Sequence, residues 1–429
     1  MKLINLNEKE FNEFAKKHKL NTFHQNTYWA KVKEKNGWQM HLVGFKEKNE
    51  IIWATMMLSK TIILKKKMFY APRGFLIDFD DNKLLKSFTE EVKKYIKKEN
   101  GIFLKIDPYV VYNKRDKDGS IIDVYNTNDK VIDDLKKLGF IHHGFDLNAR
   151  NLQPRWISVL DLQGLNVDTL INTFDTQRRS RVNKAIKLGF DIKELSRDEL
   201  IEFKKITEET GKRRGFIDRP LSYYEYIYDE FVKNKQGKFM CVELDLKKAI
   251  DNLKQNITEN KEKISEIEKE MENHDNKTKF KNQIKEINNV ITSLESRHKL
   301  ISDIKEKHQT DKQIMSAALF LTFGSEVVYL ASGSYKEFME LNAQYFMQWE
   351  MIKYAIENKY KVYNFYGISG NFDKDNERYG VFDFKKGFNA TVNELIGEFD
   401  LPISKFWYFL YTQAFKIYRN LKKVNQNND

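Results

Sequence analysis

The chain has 429 residues, 41% hydrophobic and 14% aromatic, enough apolar surface for more than one buried core. Charged residues make up 32% and prolines number only 5, which excludes a chain dominated by disorder. A formal net charge of +12 points to an anionic partner such as RNA, a phosphate-bearing substrate or an acidic membrane surface, with ordinary solubility as the plainer reading.

From the N-terminus, residues 1–10 lack the apolar core of a signal peptide, and no run reaches 18 apolar residues, so a cytoplasmic chain without a membrane span is expected. Asn7 with Glu10 three residues on reads as a helix start. Strands are expected around His41 to Phe45, Ile51 to Ser59 and Met68 to Ala71. A helix over Lys83 to Lys98 ends before Gly101, and a strand over Ile102 to Ile106 follows. Gln177 to Gly189 reads as a helix closed by its glycine, and Pro220 as the opening of another. Strand-like runs Lys238 to Leu246 and Ile314 to Phe323 come next, the second turning through Gly324 and Ser325 into Val327 to Ala331. A helix from Glu337 to Asn358 and a strand from Val362 to Tyr366 repeat the earlier order. The expected class is α/β (α+β), with two related units that each carry helices on a mixed sheet.

Residues 245–312 break this pattern. Ile250, Leu253, Ile257, Ile264, Ile267 and Met271, then Phe280, Ile284, Ile287, Ile291, Leu294 and Ile301, recur at alternating spacings of three and four. His274, Asp275 and Asn276 form a polar break, which predicts two helices of about 40 Å folding back as an antiparallel coiled coil. With 15 Lys and Arg against 14 Asp and Glu, this arm is nearly neutral, so the basic footprint belongs to the globular part. A dimerisation element or a passive strut is the competing reading of the arm.

Several chemistries drop out. No P-loop, dinucleotide fingerprint, coenzyme A pyrophosphate loop or Gly-x-Ser-x-Gly elbow is present. The single cysteine, Cys241, excludes an internal disulfide and a multi-thiolate zinc site, and the scattered histidines argue against any metal. What remains is a set of charged and aromatic clusters at the ends of elements. Trp29, Lys31 and Lys33 stand near Trp38, where a lysine among aromatics can ground a phosphate. Asp107 ends a strand and is held extended by Pro108, a suitable place for a base or an amine anchor. Arg178, Arg179, Arg181, Lys184 and Lys187 make a basic helix suited to phosphates, unless it is merely a solvated face. Arg213, Arg214 and Arg219 precede Tyr223, one turn beyond Arg219, so that guanidinium and phenol can converge on one ligand. Lys385, between aromatics and before Gly387, can be desolvated into a stabiliser of a developing oxyanion.

Taken together, these residues resemble the FemABX family of non-ribosomal peptidyltransferases over nearly the whole chain. The likeness rests on Trp29 to Lys33, Asp107-Pro108, the helix ending at Gly189, the Arg-rich turn before Tyr223, the stretch from Asn342 to Glu350 and Phe384-Lys385-Lys386-Gly387-Phe388. It implies two GNAT-like domains, 1–155 with 395–429 and 156–394, and a coiled-coil arm at 245–312 inserted in the second. It further implies aminolysis of the ester of aminoacyl-tRNA by the stem-peptide amine of a peptidoglycan precursor, lipid II or UDP-MurNAc-pentapeptide, with Gly, Ala or Ser donated. By that likeness Lys33 and Arg219, beside Tyr223, resemble the diphosphate binders, with Lys31 and Lys35 as close alternatives to Lys33. Asp107 resembles the acid near the acceptor amine, Phe384 and Lys385 the pair near the ester, and Tyr329 a substrate-lining tyrosine. Arg178, Arg179, Arg181 and Lys184 would hold the tRNA. An aminoacyl ester is already activated, so no cofactor, ATP, metal or covalent nucleophile is required beyond aminoacyl-tRNA itself. The implied surroundings are the inner face of the plasma membrane and other Fem-type proteins, with the aromatic segment Ile403 to Lys423 either touching lipid or completing a core. Acyl transfer from acyl-coenzyme A and a non-catalytic tRNA-binding scaffold are the alternatives.

Overall fold

The computed structural model describes residues 2–122, 128–147, 152–274 and 276–426. Along Lys312–Phe323, Ala317, Leu319 and Leu321 enter one core while Ala318 and Phe320 enter another. Strand alternation thus makes this strand a wall between two apolar layers. It lies inside an eight-stranded sheet ordered Val111–Arg115, Thr391–Leu395, Trp156–Asp161, Val362–Gly367, Glu326–Ser334, Lys312–Phe323, Gly237–Asp245 and Asp191–Glu194. A seven-stranded sheet runs Ile4–Asn5, Gln39–Glu47, Glu50–Ile63, Lys66–Ala71, Gly101–Ile106, Phe399–Pro402 and Ile141–His142. Ala54, Met56 and Leu58 of the seven-stranded sheet share a core with Ala317, Leu319 and Leu321 of the eight-stranded one, and each sheet buries its other face on its own helices.

Both sheets contain the same connection. In the first, a hairpin ending in Lys66–Ala71 is followed by the helix Asn82–Lys98 and the parallel strand Gly101–Ile106. In the second, the hairpin ending in Glu326–Ser334 is followed by the helix Ala343–Glu357 and the parallel strand Val362–Gly367. The sequence expected one helix from 337 to 358. Instead Lys336–Leu341 is a 3-10 turn, and Asn342 at φ 66° breaks the register before the α-helix begins.

Two of the passages between the sheets, at 107–110 after Gly101–Ile106 and at 396–398 before Phe399–Pro402, lie side by side. The crossings touch, since the Ile396 N–H donates to the Val110 carbonyl at 3.0 Å. Asp107 therefore stands where the two sheets are stitched together.

Leu246–Glu272 and Thr278–His308 form a helical hairpin between the adjacent antiparallel strands Gly237–Asp245 and Lys312–Phe323. Leu253, Ile301 and Ile304 are buried at its base, and Lys261 pairs with Glu295 at 3.4 Å further out, as antiparallel helices require. Asp275, expected in the turn, lies outside the described residues. In the last helix, Lys405–Gln426, Tyr408 and Tyr411 pack on Phe103 at 5.4 and 4.9 Å, whereas Phe406, Phe409, Leu410 and Ile417 are exposed. The side chain of Tyr418 is outside the described set. Among the described residues no helix is long and apolar enough to cross a membrane.

Candidate active site

Asp107 follows directly on Gly101–Ile106 and is 2% exposed. Its Oδ2 accepts from the Tyr70 hydroxyl at 2.9 Å and its Oδ1 from the Arg73 N–H at 2.7 Å. Burial pushes the carboxyl up to about 6; Arg73 acts in the opposite direction and limits the rise. Arg73 itself is buried at φ 54°, donates through Nη2 to the Pro154 carbonyl at 2.6 Å and lies over the Tyr109 ring at 5.7 Å. Asp107 thus remains a proton acceptor at neutral pH on a backbone that cannot swing away.

Lys33 projects from the helix Thr27–Glu34, whose N-terminus is capped by Asn26. Its ammonium sits 4.1 Å from the Trp29 ring and 5.6 Å from the Tyr223 ring. The Arg219 guanidinium lies 5.6 Å from that same Tyr223 ring. Burial, and then the neighbouring Arg219 charge, lower Lys33 to about 8. Among the described residues neither cation has a carboxylate within ion-pair distance, whereas Lys31 is bound to Glu8 at 2.6 Å. Two unneutralised cations around one phenol have the chemistry to receive an oxyanion group.

Lys385 lies on the short helix Tyr379–Lys386 and is 6% exposed. Its Nζ donates to the carbonyls of Gly367 at 2.7 Å and Tyr366 at 3.3 Å. Among the described residues it has no ion-pair partner, and burial alone lowers it to about 7. Those carbonyls converge because the strand Val362–Gly367 bulges between Asn364 and Tyr366, leaving Tyr366 at φ 65° with its N–H bound to Asn364 Oδ1 at 2.7 Å.

Tyr366 has further partners. Its hydroxyl donates to Gln153 Oε1 at 2.6 Å, and its ring stacks on His24, which burial keeps well below its ordinary range. Burial raises the Tyr366 phenol; Arg73 opposes this, and Tyr223, Asp107 and Glu326 add to it from within electrostatic reach. Tyr366 thus holds Lys385 on its main-chain carbonyl and lies within electrostatic reach of Tyr223 and Asp107. Among the described residues no hydrogen bond or ion pair joins Asp107 to Lys385 directly.

Residues 6–416 match the model of the FemAB family. The chain is 34% identical to aminoacyltransferase FemA of Staphylococcus aureus, strain bovine RF122 / ET3-1, over 97% of this chain and 99% of that protein. It matches FemA of strain MRSA252 to the same extent. The chain belongs to the FemAB family. A crystal structure of FemX superposes on this FemAB-family fold with a TM-score of 0.77 at 29% identity, covering 96% of this chain and 99% of the other.

Other expected residues of this FemAB-family chain fall elsewhere. Phe384 turns away from its neighbour Lys385, packing on Tyr345 at 5.2 Å and Phe388 at 5.4 Å. Tyr329 stacks on Phe320 at 5.4 Å inside the second sheet's core, its hydroxyl bound to Ser332 and, at 3.3 Å, to Gln344. Arg178 is not on the surface where the sequence placed it. It is 2% exposed and donates to the Asp383 carbonyl at 2.8 Å, in a slot open only because position 387 is glycine. Arg181 reaches Asn342 at 3.5 Å and stacks over Tyr345, Arg179 is half-buried, and Lys184 is exposed. Of the basic helix Thr176–Leu188, only part can meet a large anion.

Sequence reasoning missed Arg73, His24, Tyr70, Tyr109 and Glu326. Glu326 is buried, raised to about 7 by burial, and hydrogen-bonded by Tyr109 at 2.8 Å and Asn364 at 2.9 Å. The one signal for this layer was the Asp107-Pro108-Tyr109 run itself, which carries the acid and the phenol two residues apart on either side of a proline. Burial pushes the Cys241 thiol up to about 12, which removes it as a nucleophile. Among the described residues no group of three His, Cys, Asp or Glu side chains could hold a metal ion.

Proposed function

We infer that the chain transfers an amino acid from aminoacyl-tRNA to the stem-peptide amine of a peptidoglycan precursor, building the interpeptide bridge. The chain is an aminoacyltransferase of the FemAB family, and the observation that carries the reading of its site is the pair of unneutralised cations, Lys33 and Arg219, around the Tyr223 ring. Lys33, Arg219 and Tyr223 hold the precursor's diphosphate through charge-assisted bonds. The peptide then extends past Tyr366, so that its amine reaches Asp107. The carboxylate takes the proton that the attacking nitrogen releases as the new C–N bond forms. The ester carbonyl becomes a tetrahedral oxyanion, met by the charged form of Lys385, and collapse expels the ribose oxygen of the tRNA end. Gly, Ala or Ser is the residue donated.

In this reading the two sheets are two GNAT-like units, 1–155 with 395–429 and 156–394, with Val111–Arg115 lent to the second sheet. The helical hairpin at 245–312 is a coiled-coil arm. Phe384 supports the ester side from behind by packing the helix that carries Lys385, and Tyr329 does the same for the wall of the groove. Arg179, Arg181 and Lys184 contact tRNA phosphates, while Arg178 holds their helix in place. The protein works at the inner face of the plasma membrane, where its precursor and other Fem-type proteins are found. The test is label transfer to the precursor before and after ribonuclease treatment. The reading expects complete loss on digestion; transfer that survives, or that responds to acyl-coenzyme A, defeats it.

A further inference from the structure

The segment 215–220 joins the helices Leu200–Arg214 and Leu221–Ile227. In it Ile217 is 98% exposed and Phe216 49% exposed. A lone exposed isoleucine is unremarkable on its own, but this one is held outward by its neighbours. Asp218, whose side chain is 5% exposed, turns inward and accepts from Lys204 Nζ and Thr207 Oγ1, each at 2.9 Å, and from the Tyr224 hydroxyl. The Phe216 N–H donates to the Gly211 carbonyl at 3.0 Å, and Gly215 closes the preceding helix at φ 72°. The segment's one carboxylate is thereby withdrawn, and an apolar tip is fixed in solvent.

Within residues 212–219 the charges left without an ion-pair partner among the described residues have one sign. Arg214 and Arg219 are exposed, and among the described residues neither has an acidic partner within 4 Å; Lys212 is paired with Glu208 at 3.3 Å. Arg219 is only two residues from Ile217 and belongs to the cation pair around Tyr223. A diphosphate that joins a sugar to a lipid lies at headgroup depth, so the residues gripping it must come down to the bilayer surface. We propose that residues 215–219 dock on an anionic lipid surface. Phe216 and Ile217 enter the boundary between headgroups and acyl chains, and Arg214 and Arg219 meet phosphates at the level above. A tRNA end would supply the phosphates but no apolar phase for Ile217, which is why a membrane is the occupant.

This inference rests on the reading of Lys33 and Arg219 as the diphosphate site, and the two can fail separately. The full chain is sedimented with phosphatidylcholine vesicles, with and without phosphatidylglycerol, as wild type and as Ile217→Asp, and both proteins are assayed with a water-soluble diphosphate acceptor. The wild type partitions onto the anionic vesicles. Ile217→Asp lowers that partition by about tenfold, since a charge replaces an apolar side chain at the boundary, yet leaves transfer to the soluble acceptor unchanged. Absence of wild-type binding to anionic vesicles overturns the proposal, as does a variant that binds them equally well or one that instead loses charged tRNA in a filter-binding assay. If vesicle binding behaves as expected while the soluble acceptor receives nothing from the wild type, the assigned reaction fails and the docking surface stands.

Discussion

Replacing Lys385 by Met removes a charge that the fold keeps from water, and the consequence can be worked out from the structure. Burial takes the ammonium from 10.5 to about 7, which corresponds to on the order of 5 kcal/mol of differential stability at ~1.4 kcal/mol per pH unit. The folded value lies below the unfolded one, so this contribution is fully present above pH 10.5 and is lost as the pH falls toward 7. Against it stand the two carbonyls of Tyr366 and Gly367, which lose their donor at roughly 1–3 kcal/mol each. Lys385→Met should therefore be about as stable as wild type at pH 7.5. At pH 9.5 it should be less stable by about 3 kcal/mol, because the wild type gains ~1.4 kcal/mol per pH unit over that interval. Urea unfolding at the two pH values measures the difference, and transfer activity should fall by about a hundredfold or more at either pH. Parallel stability curves for the two proteins would show that Lys385 is not desolvated, and its assignment as a dry cation would be wrong.

Asp107→Asn should abolish most transfer and remove the acidic limb of the activity profile, which in the wild type rises through about pH 6. Because the folded carboxyl lies above its unfolded value, its contribution to stability is present below pH 3.8 and lost by pH 6. The variant should then match or exceed wild type in urea at pH 7.5, and a large loss of stability would contradict the burial argument. Lys33→Met and Arg219→Met should each raise KM for a diphosphate-bearing acceptor by about ten- to a hundredfold. They should leave KM for charged tRNA alone, and equal effects on both substrates would disprove a phosphate role. Gly387→Ala places a Cβ 2.1 Å from Arg178 Nε and should destabilise the protein by about 1–3 kcal/mol in chemical unfolding. An unchanged midpoint would mean that Arg178 has room to move.

Local signals were the most legible part of the sequence. The Asn7 and Glu10 capping box, the glycine cap at Gly189 and the proline before Leu221–Ile227 all appear where short-range chemistry put them. The spacing of the hairpin's apolar residues likewise gave its two helices. Pairings distant in sequence were not legible, such as Val111–Arg115 with Thr391–Leu395, since neither strand names its partner. Arg178 was misread through its charge. Its phase with Val182 and Ala185 sets it on the buried face of its helix, a signal that was present and outweighed by the run of basic residues. Arg73 and the bulge at Tyr366 owe their conformations to the tertiary contacts around them, and no motif announces either.

The decisive measurement is the acceptor's mass after incubation with total charged tRNA. Each precursor molecule should gain the mass of one small amino-acid residue on its stem-peptide amine, and the gain should disappear with Asp107→Asn. A precursor of unchanged mass under conditions where the protein is folded and charged tRNA is intact would contradict the assigned reaction, as would a gain that corresponds to any acyl group other than an amino acid.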